Sequence, residues 1–270
     1  MHYYQPYARQ GELESGGFWN TCSELPGVRV DMGASLKLLA RVGERWSGEC
    51  QWVERTTNPK QYYALNPTFG FASAAVAHAM IREFRPSRIV EVGGGFSTLI
   101  IAGALSKNAV DGTGADFLSV EPFPGTVLEQ EIGGLTRRMM VPVERVALSE
   151  FEALDRGDIL FIDSSHVIRY GGDVLYLLLE VLPRLRPGVL VHVHDVHLPE
   201  AYPRAYFEHH RWVWNEQYLL QALLSGSTRY EVLLPCWWLH RDHADVFAHA
   251  FPQLQGGKYR AGSSFWMRIC

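Results

Sequence analysis

Three histidines, His192, His194 and His197, fall within six residues, and Asp195 stands among them. Upstream, the apolar run Asp158-Ile-Leu-Phe-Ile-Asp163 ends on an acid, and His166 follows in the same loop. Residues of these types serve two kinds of chemistry. A histidine titrates near neutrality and suits the removal of a hydroxyl proton, with an acid beside it. Alternatively, Asp163, His194 and Asp195 could hold a divalent metal: Mg²⁺ takes oxygen ligands, and imidazole suits a softer ion. A third reading is structural, with His192 deep in its run as a satisfied core histidine and His197 on the rim. His192 and His194 are two apart and so share a strand face. If the two apolar runs are neighbouring strands, their carboxyl ends bring Asp163, His166, His194 and Asp195 together.

A second constellation lies earlier. Glu91-Val-Gly93-Gly94-Gly95-Phe-Ser97 joins a short apolar run to a helical pattern. Small residues there let the backbone approach a ligand, and the helix N-terminus offers free N–H groups. Glu91, inside the apolar run, must be paired with a cationic or N–H-rich partner. Glu121 ends the next run, where an acid reaches the two hydroxyls of a ribose. A dinucleotide fingerprint needs a further glycine three places after Gly95, and Thr98 stands there. A single nucleoside with a cationic tail fits better than a pyrophosphate, and S-adenosylmethionine is such a molecule.

The elements that must position these residues alternate as in a parallel α/β sheet. Strands are expected at 88–92, 117–121, 143–147, 158–163 and 189–194. Two later ones, at 229–239 and 263–269, include an antiparallel partner. Helices are expected at 71–84, 97–106, 126–132, 174–185, 214–224 and 243–251. Leu198 to Arg211, with two prolines, reads as a loop or lid. Tyr202, Tyr206, Trp212 and Trp214, with Asn215, Glu216 and Gln217, could roof an acceptor pocket. Trp237 and Trp238 should point to opposite faces of a late strand, and Arg137-Arg138 should be a solvated pair. Residues 1–65 are weakly periodic and read as an extension, a lid or interface on a core of 66–270. Tyr3, Tyr4 and Tyr7 could cap the same pocket or meet a partner subunit.

Composition narrows the classes. With 270 residues, 47% of them hydrophobic, the chain can bury one large core. A formal net charge of −4 argues against nucleic acid as a partner. No run approaches the ~18 apolar residues of a membrane span, and the first residues lack the order of a secretory signal. Cys22, Cys50, Cys236 and Cys270 have neither zinc-ligand spacing nor the look of a disulfide framework, and read as buried or idle thiols. A cytoplasmic enzyme acting on a small molecule is expected, with a homo-oligomer left open.

The E-x-G-x-G-x-S turn, the acid closing the second strand and the seven-strand layout resemble class I S-adenosylmethionine-dependent methyltransferases. The segments GDILFIDSSHV, LPRLRPGVLVHVHDVHLPEAYP and WNEQYLLQALL resemble a bacterial branch of them found in polysaccharide and secondary-metabolite pathways. The resemblance covers roughly residues 60–270. It implies a Rossmann-like sheet of strand order 3-2-1-4-5-7-6 with helices on both faces and the donor above strands 1 and 2. Glu91, Gly93, Gly94, Gly95 and Ser97 would line the methionine part, Glu121 the ribose, and Pro122 with 143–148 the adenine. Related sugar and antibiotic O-methyltransferases hold Mg²⁺ with acids at the two strand ends, and a further acid beside the second is here His194. The expected activity is O-methylation of a small polar acceptor, a sugar or secondary metabolite. The rivals are a metal-dependent hydroxylase or a lyase on the same fold, and a non-catalytic ligand-binding or scaffold protein.

Overall fold

Short apolar runs rich in Val, Ile and Phe, too brief for a helix, form the strands of a single sheet in the computed structural model, which describes residues 10–270. They are β1 (Arg88–Val92), β2 (Asp116–Val120), β3 (Arg137–Met139), β4 (Ile159–Ile162), β5 (Leu190–Val193), β6 (Tyr230–Pro235) and β7 (Phe265–Ile269). Their order is β3-β2-β1-β4-β5-β7-β6, as the resemblance implied. The first five pair in parallel, and β7 runs antiparallel to both β5 and β6.

Alternation along the strands divides the core in two. Ile89, Phe117, Ile159, Phe161, Leu190 and Trp266 face one layer, whose helices are α2 (Met32–Trp46), α3 (Phe71–Phe84), α4 (Phe96–Val110), α9 (Cys236–Asp242) and α10 (Ala244–Ala250). Val90, Leu118, Leu160, Val191 and Met267 face the other, with α5 (Leu148–Glu152), α6 (Asp173–Leu175) and α8 (Glu216–Leu224). The chain after α6 continues as a π-turn over Tyr176–Val181. Two short helices, α1 (Gln10–Ser15) and α7 (Arg204–His210), complete the set. Helix α3 stops where Arg85 takes a left-handed conformation (φ 47°), one residue before Pro86. No helix among the described residues is long and apolar enough to cross a membrane.

Several expectations are corrected. The third strand is Arg137–Met139, not 143–147: Pro142 has no N–H for a ladder, and Val143–Arg145 coils into a 3-10 turn whose Val143 plugs the core. The Arg137-Arg138 pair therefore lies on the sheet's edge strand, with Arg137 bonded to Glu150 and Asp116. The expected helix at 126–132 is a series of turns, too short between Gly125 and Gly133 to nucleate. Strand β6 ends at Pro235, so Trp237 and Trp238 are on α9, both half-buried, and their indoles bond Glu200 and Asp242. The segment 198–211, expected to be a loop or lid, contains α7. Within the extension, α2 was not foreseen; it buries Leu38, Leu39 and Val42 in the core. Cys22 and Cys270 are exposed and Cys50 and Cys236 buried, all four free. Tyr3, Tyr4 and Tyr7 lie outside the described residues.

Candidate active site

The turn after β1 is shaped by contact with the neighbouring strand. Gly93 has φ +87°, and a Cβ there would lie 1.7 Å from the Asp163 carbonyl oxygen. Only glycine lets the two strand ends approach so closely. A Cβ on Gly94 would meet Ser119 Oγ at 2.6 Å, and the Gly95 N–H donates to Thr98 Oγ1 at 3.0 Å. Glu91 is fully buried beneath this turn. Its partners are three hydroxyls, not the cation or N–H groups expected: Ser97, Thr98 and Ser119 donate to it at 2.8, 2.6 and 2.7 Å. Burial outweighs these bonds and pushes its carboxyl up to about 7. Glu91 and Ser97 thus support the turn from behind.

In front of it, a cavity of about 530 Å³ opens at the carboxyl ends of β1, β2 and β4. Gly93, Glu121, Pro122 and Asp163 line it, as do Val143, Arg145, Ser164, Arg169 and Asp173. Gly94, Gly95, Glu91 and Ser97 are not among its lining residues. Glu121 is half-buried, its carboxyl raised by burial, and its Oε1 accepts the Phe123 N–H at 2.7 Å. The volume lies in the range of sites for cofactor-sized molecules.

Asp163, in the wall of this cavity, also belongs to an acid–histidine cluster. Strands β4 and β5 are neighbours, so Asp163 and His194, each one residue past its strand, come side by side. His194 Nδ1 is 3.3 Å from Asp163 and 3.4 Å from Asp195. His166 Nε2 is 3.4 Å from Asp163 and 3.9 Å from Asp195. His166 and Asp195 both adopt left-handed backbone, φ 59° and 54°, a conformation that L-residues other than glycine rarely take and that recurs at functional sites. Burial disfavours charge on every member, yet the ion pairs prevail. Beside the imidazoles Asp163 and Asp195 are held well below the usual carboxylate range, His194 is carried up to about 10, and His166 rises well above its ordinary value. The two carboxylates thus favour the protonated form of both imidazoles, and the four groups hold proton and charge in common.

Two members were not among the expected catalytic groups. Glu216, almost completely buried at the start of α8, holds His166 Nδ1 at 2.9 Å. Ser263 donates to Asp195 Oδ1 at 2.7 Å. An acid opening an otherwise apolar helical pattern was the available signal for Glu216; nothing marked Ser263. The Trp214 ring packs 4.3 Å from the His166 ring. His192 follows the structural reading: it is buried, stacked on Phe161 at 3.7 Å, 3.0 Å from Ser264 Oγ, and pushed by burial toward the neutral form. His197 is not at the rim. It is 2% exposed among Tyr202, Tyr206 and Trp237, and burial lowers it to about 4.

Asp163, His166 and Asp195 each offer a ligand atom within 4.8 Å of the others, so three donors of mixed oxygen and nitrogen type converge there. His194 lies beside this set, its Nε2 3.3 Å from Ser73 Oγ. The donor set suits a divalent cation with open positions.

Residues 90–196, from β1 to the turn after β5, match the family model described as a methyltransferase domain. An uncharacterized protein of Archaeoglobus fulgidus is 35% identical over 96 residues, 35% of this chain, and the chain spans 42% of that relative's length. Among solved structures, an O-methyltransferase from Bacillus cereus in complex with SAH aligns over 87% of this chain and 90% of its own, at 12% identity and a TM-score of 0.38. TomG from Streptomyces achromogenes, an O-methyltransferase of tomaymycin synthesis in complex with SAM, aligns over 90% and 91%, at 15% and 0.33. MycE, from the mycinamycin pathway, in complex with Mg, SAH and mycinamycin VI, aligns over 86% and 54%, at 12% and 0.38. Scores this low carry no argument, and the fold rests on the strand order itself.

Proposed function

We propose that this protein is an enzyme that methylates an oxygen of a small polar acceptor, with S-adenosylmethionine as donor. The observation that carries the reading is the cavity over β1, β2 and β4, with Glu121 on one wall and, on another, Asp163, through which the cavity adjoins the cluster it forms with His166 and Asp195. Cavity and cluster share Asp163 at the switch point of the sheet, where ligands of open α/β sheets bind. The methyltransferase-domain match over the same segment supports it.

The residues present fit the donor. Glu121 at the end of β2 would accept from two ribose hydroxyls, Pro122 and Val143 would flank the base, and Gly93 keeps the strand ends free of side chains. When bound, S-adenosylmethionine supplies a methyl group on a cationic sulfur, a good leaving group. Because that chemistry needs little covalent help, positioning should supply most of the rate. Glu91 would act behind the turn, holding Ser97 and Thr98 so that the start of α4 stays in place.

On the acceptor side, His166 Nε2 is turned to Asp163 and Asp195, and Glu216 at Nδ1 fixes the ring. A metal also fits: Asp163, His166 and Asp195 would hold a divalent cation, whose charge would acidify an acceptor hydroxyl. Calorimetric titration with S-adenosylmethionine and S-adenosylhomocysteine tests the reading, with micromolar binding of both expected; no binding of either overturns it. Titrating Mn²⁺ into chelator-treated protein tests the metal arm. Saturable binding that Asp163→Asn abolishes would support it, and absence of binding would leave the cluster an acid–base device alone.

A further inference from the structure

Next to the cluster lies a recess of about 110 Å³ whose walls include Trp19, Tyr206, Phe207, Trp212, Trp214 and Tyr218. It is built from stacked ring faces. Trp212 and Trp214 lie parallel, 4° apart at 4.6 Å, and Trp214 meets the His166 ring at 4.3 Å. Tyr206 stands edge-on to both indoles, at 5.3 and 4.9 Å, and is close enough to Asp195 to feel its charge. Trp214 and Tyr206 therefore belong at once to the recess and to the surroundings of the acid–histidine cluster. Trp212 remains 41% exposed and Tyr218 38%, so the recess is open to an incoming molecule. The Trp19 indole N–H, in the same wall, is buried without a hydrogen-bond partner among the described residues.

Size and chemistry restrict the occupant. A space of this volume is about that of one six-membered ring, somewhat below an engineered cavity of ~150 Å³ that takes benzene. Trp212 is already stacked on both His210 and Trp214, and Trp214 is packed on His166 as well, so their ring edges are left for an occupant, and such edges favour the face of a flat π-system. A pyranose would bring four or five hydroxyls to mainly apolar walls whose polar atoms are a few indole N–H groups and phenols, and would strand most of them. We propose that the recess seats the aromatic ring of the methyl acceptor, an aryl compound carrying the reacting hydroxyl, with Trp19 Nε1 donating to a ring substituent. This rests on the methyl-transfer reading and names its substrate class. In the transfer the hydroxyl oxygen forms the new O–CH₃ bond as the C–S bond breaks. The C–S electron pair stays on sulfur as a neutral thioether, and the hydroxyl proton leaves toward the acid–histidine cluster.

Saturation-transfer NMR and competition titration on the full chain test this, with catechol, benzene and methyl α-glucopyranoside as probes. Catechol and benzene should bind saturably and the glucoside should not. Trp212→Ala, at a half-exposed position, should weaken both aryl probes about threefold to tenfold while S-adenosylhomocysteine affinity stays within twofold. Trp19→Phe, which keeps the ring and removes the N–H, should weaken catechol about threefold or more and leave benzene unchanged. Aryl binding that ignores Trp212, no aryl binding, or equal affinity for the glucoside would overturn the assignment. The two readings fail separately. If aryl binding keeps its dependence on Trp212 but S-adenosylhomocysteine does not bind, methyl transfer falls and the recess stands as an aryl site. The opposite result removes the recess alone.

Discussion

Replacing Glu91 by glutamine tests how the glycine turn is held. Glu91 is fully buried with three hydroxyl donors and no cation, and its carboxyl rises from an ordinary value of 4.5 to about 7 in the fold. The folded chain therefore binds this proton more tightly than the unfolded chain. Below pH 4.5 the group costs nothing; the cost grows as pH rises through the window from 4.5 to 7 and is complete above it. At ~1.36 kcal/mol per pH unit, the full cost is about 3 kcal/mol. Glutamine is nearly isosteric and stays neutral, so the variant escapes this cost while its amide rearranges the three hydroxyls at roughly 1 kcal/mol. Urea unfolding of both proteins at matched pH should show the variant gaining roughly 2 to 3 kcal/mol on the parent between pH 5 and pH 8.5. With a slope of ~3 kcal/mol/M, the midpoints should diverge by about 1 M. A stability difference that stays flat across that range would refute the buried, unpaired carboxylate. Donor affinity gives a second reading: behind the turn the change should be within twofold, whereas a carboxylate that touched a ligand ammonium would lose tenfold or more.

Three further outcomes are expected. Glu121→Ala should weaken S-adenosylhomocysteine by about tenfold or more in calorimetry, since two hydrogen bonds to an ionised acceptor are lost; unchanged affinity would remove Glu121 from the donor site. Gly93→Ala puts a Cβ 1.7 Å from the Asp163 carbonyl at φ +87°, and should lower the melting temperature by more than about 10 °C or prevent accumulation of folded protein. A melting temperature within 2–3 °C of the parent would refute the close approach. Asp158, at the amino end of β4, accepts from the Ser87 N–H and hydroxyl, the Arg88 N–H and the Asp155 N–H. Asp158→Asn turns an amide against one of these donors and should cost about 2 kcal/mol in thermal unfolding with donor affinity kept, because it lies at the far end of the sheet from the cavity.

What was legible in the sequence followed from periodicity. The strands at 88–92, 158–163 and 189–194 are apolar on both faces, as central parallel strands must be, and could be recognised without any partner. Strand β3 could not. It is three residues long, at the edge, with Arg137 exposed, so no burial pattern reached the sequence. The apolar 143–147 segment drew the assignment instead, because Val143 and Val146 are buried as plugs, not as strand residues. The same ambiguity moved Trp237 and Trp238: an apolar run through Pro235 looks continuous, but the proline ends the ladder and a helix starts at Cys236. Helix α2 was hidden for a different reason. Its buried residues recur at Ser35, Leu38, Leu39, Val42 and Gly43, and two of those five are small or polar. Gly43 is there because Ala250 of α10 leaves no room for a Cβ, which would lie 2.5 Å from the Ala250 carbonyl oxygen.

The site divides along the same line, and the division bears on its chemistry. Asp163, His166, His194 and Asp195 could be brought together on paper because each follows the end of a core strand, and strand ends converge once the order is known. Glu216 and Ser263 approach the cluster from 50 residues beyond His166 and 68 beyond Asp195, through elements whose packing no local pattern states. Yet those two decide how the cluster behaves. With only the four strand-end residues, either nitrogen of His166 could face the two aspartates. Glu216 takes Nδ1, so Nε2 is turned to Asp163 and Asp195. Ser263 likewise occupies Oδ1 of Asp195 and leaves Oδ2 toward the histidines. The two groups that no strand end announces thus select which atoms of the other four can meet a proton or a cation. Glu216→Gln should accordingly lower turnover well before it alters donor affinity. A variant with unchanged turnover would show that the orientation of His166 does not matter to the reaction.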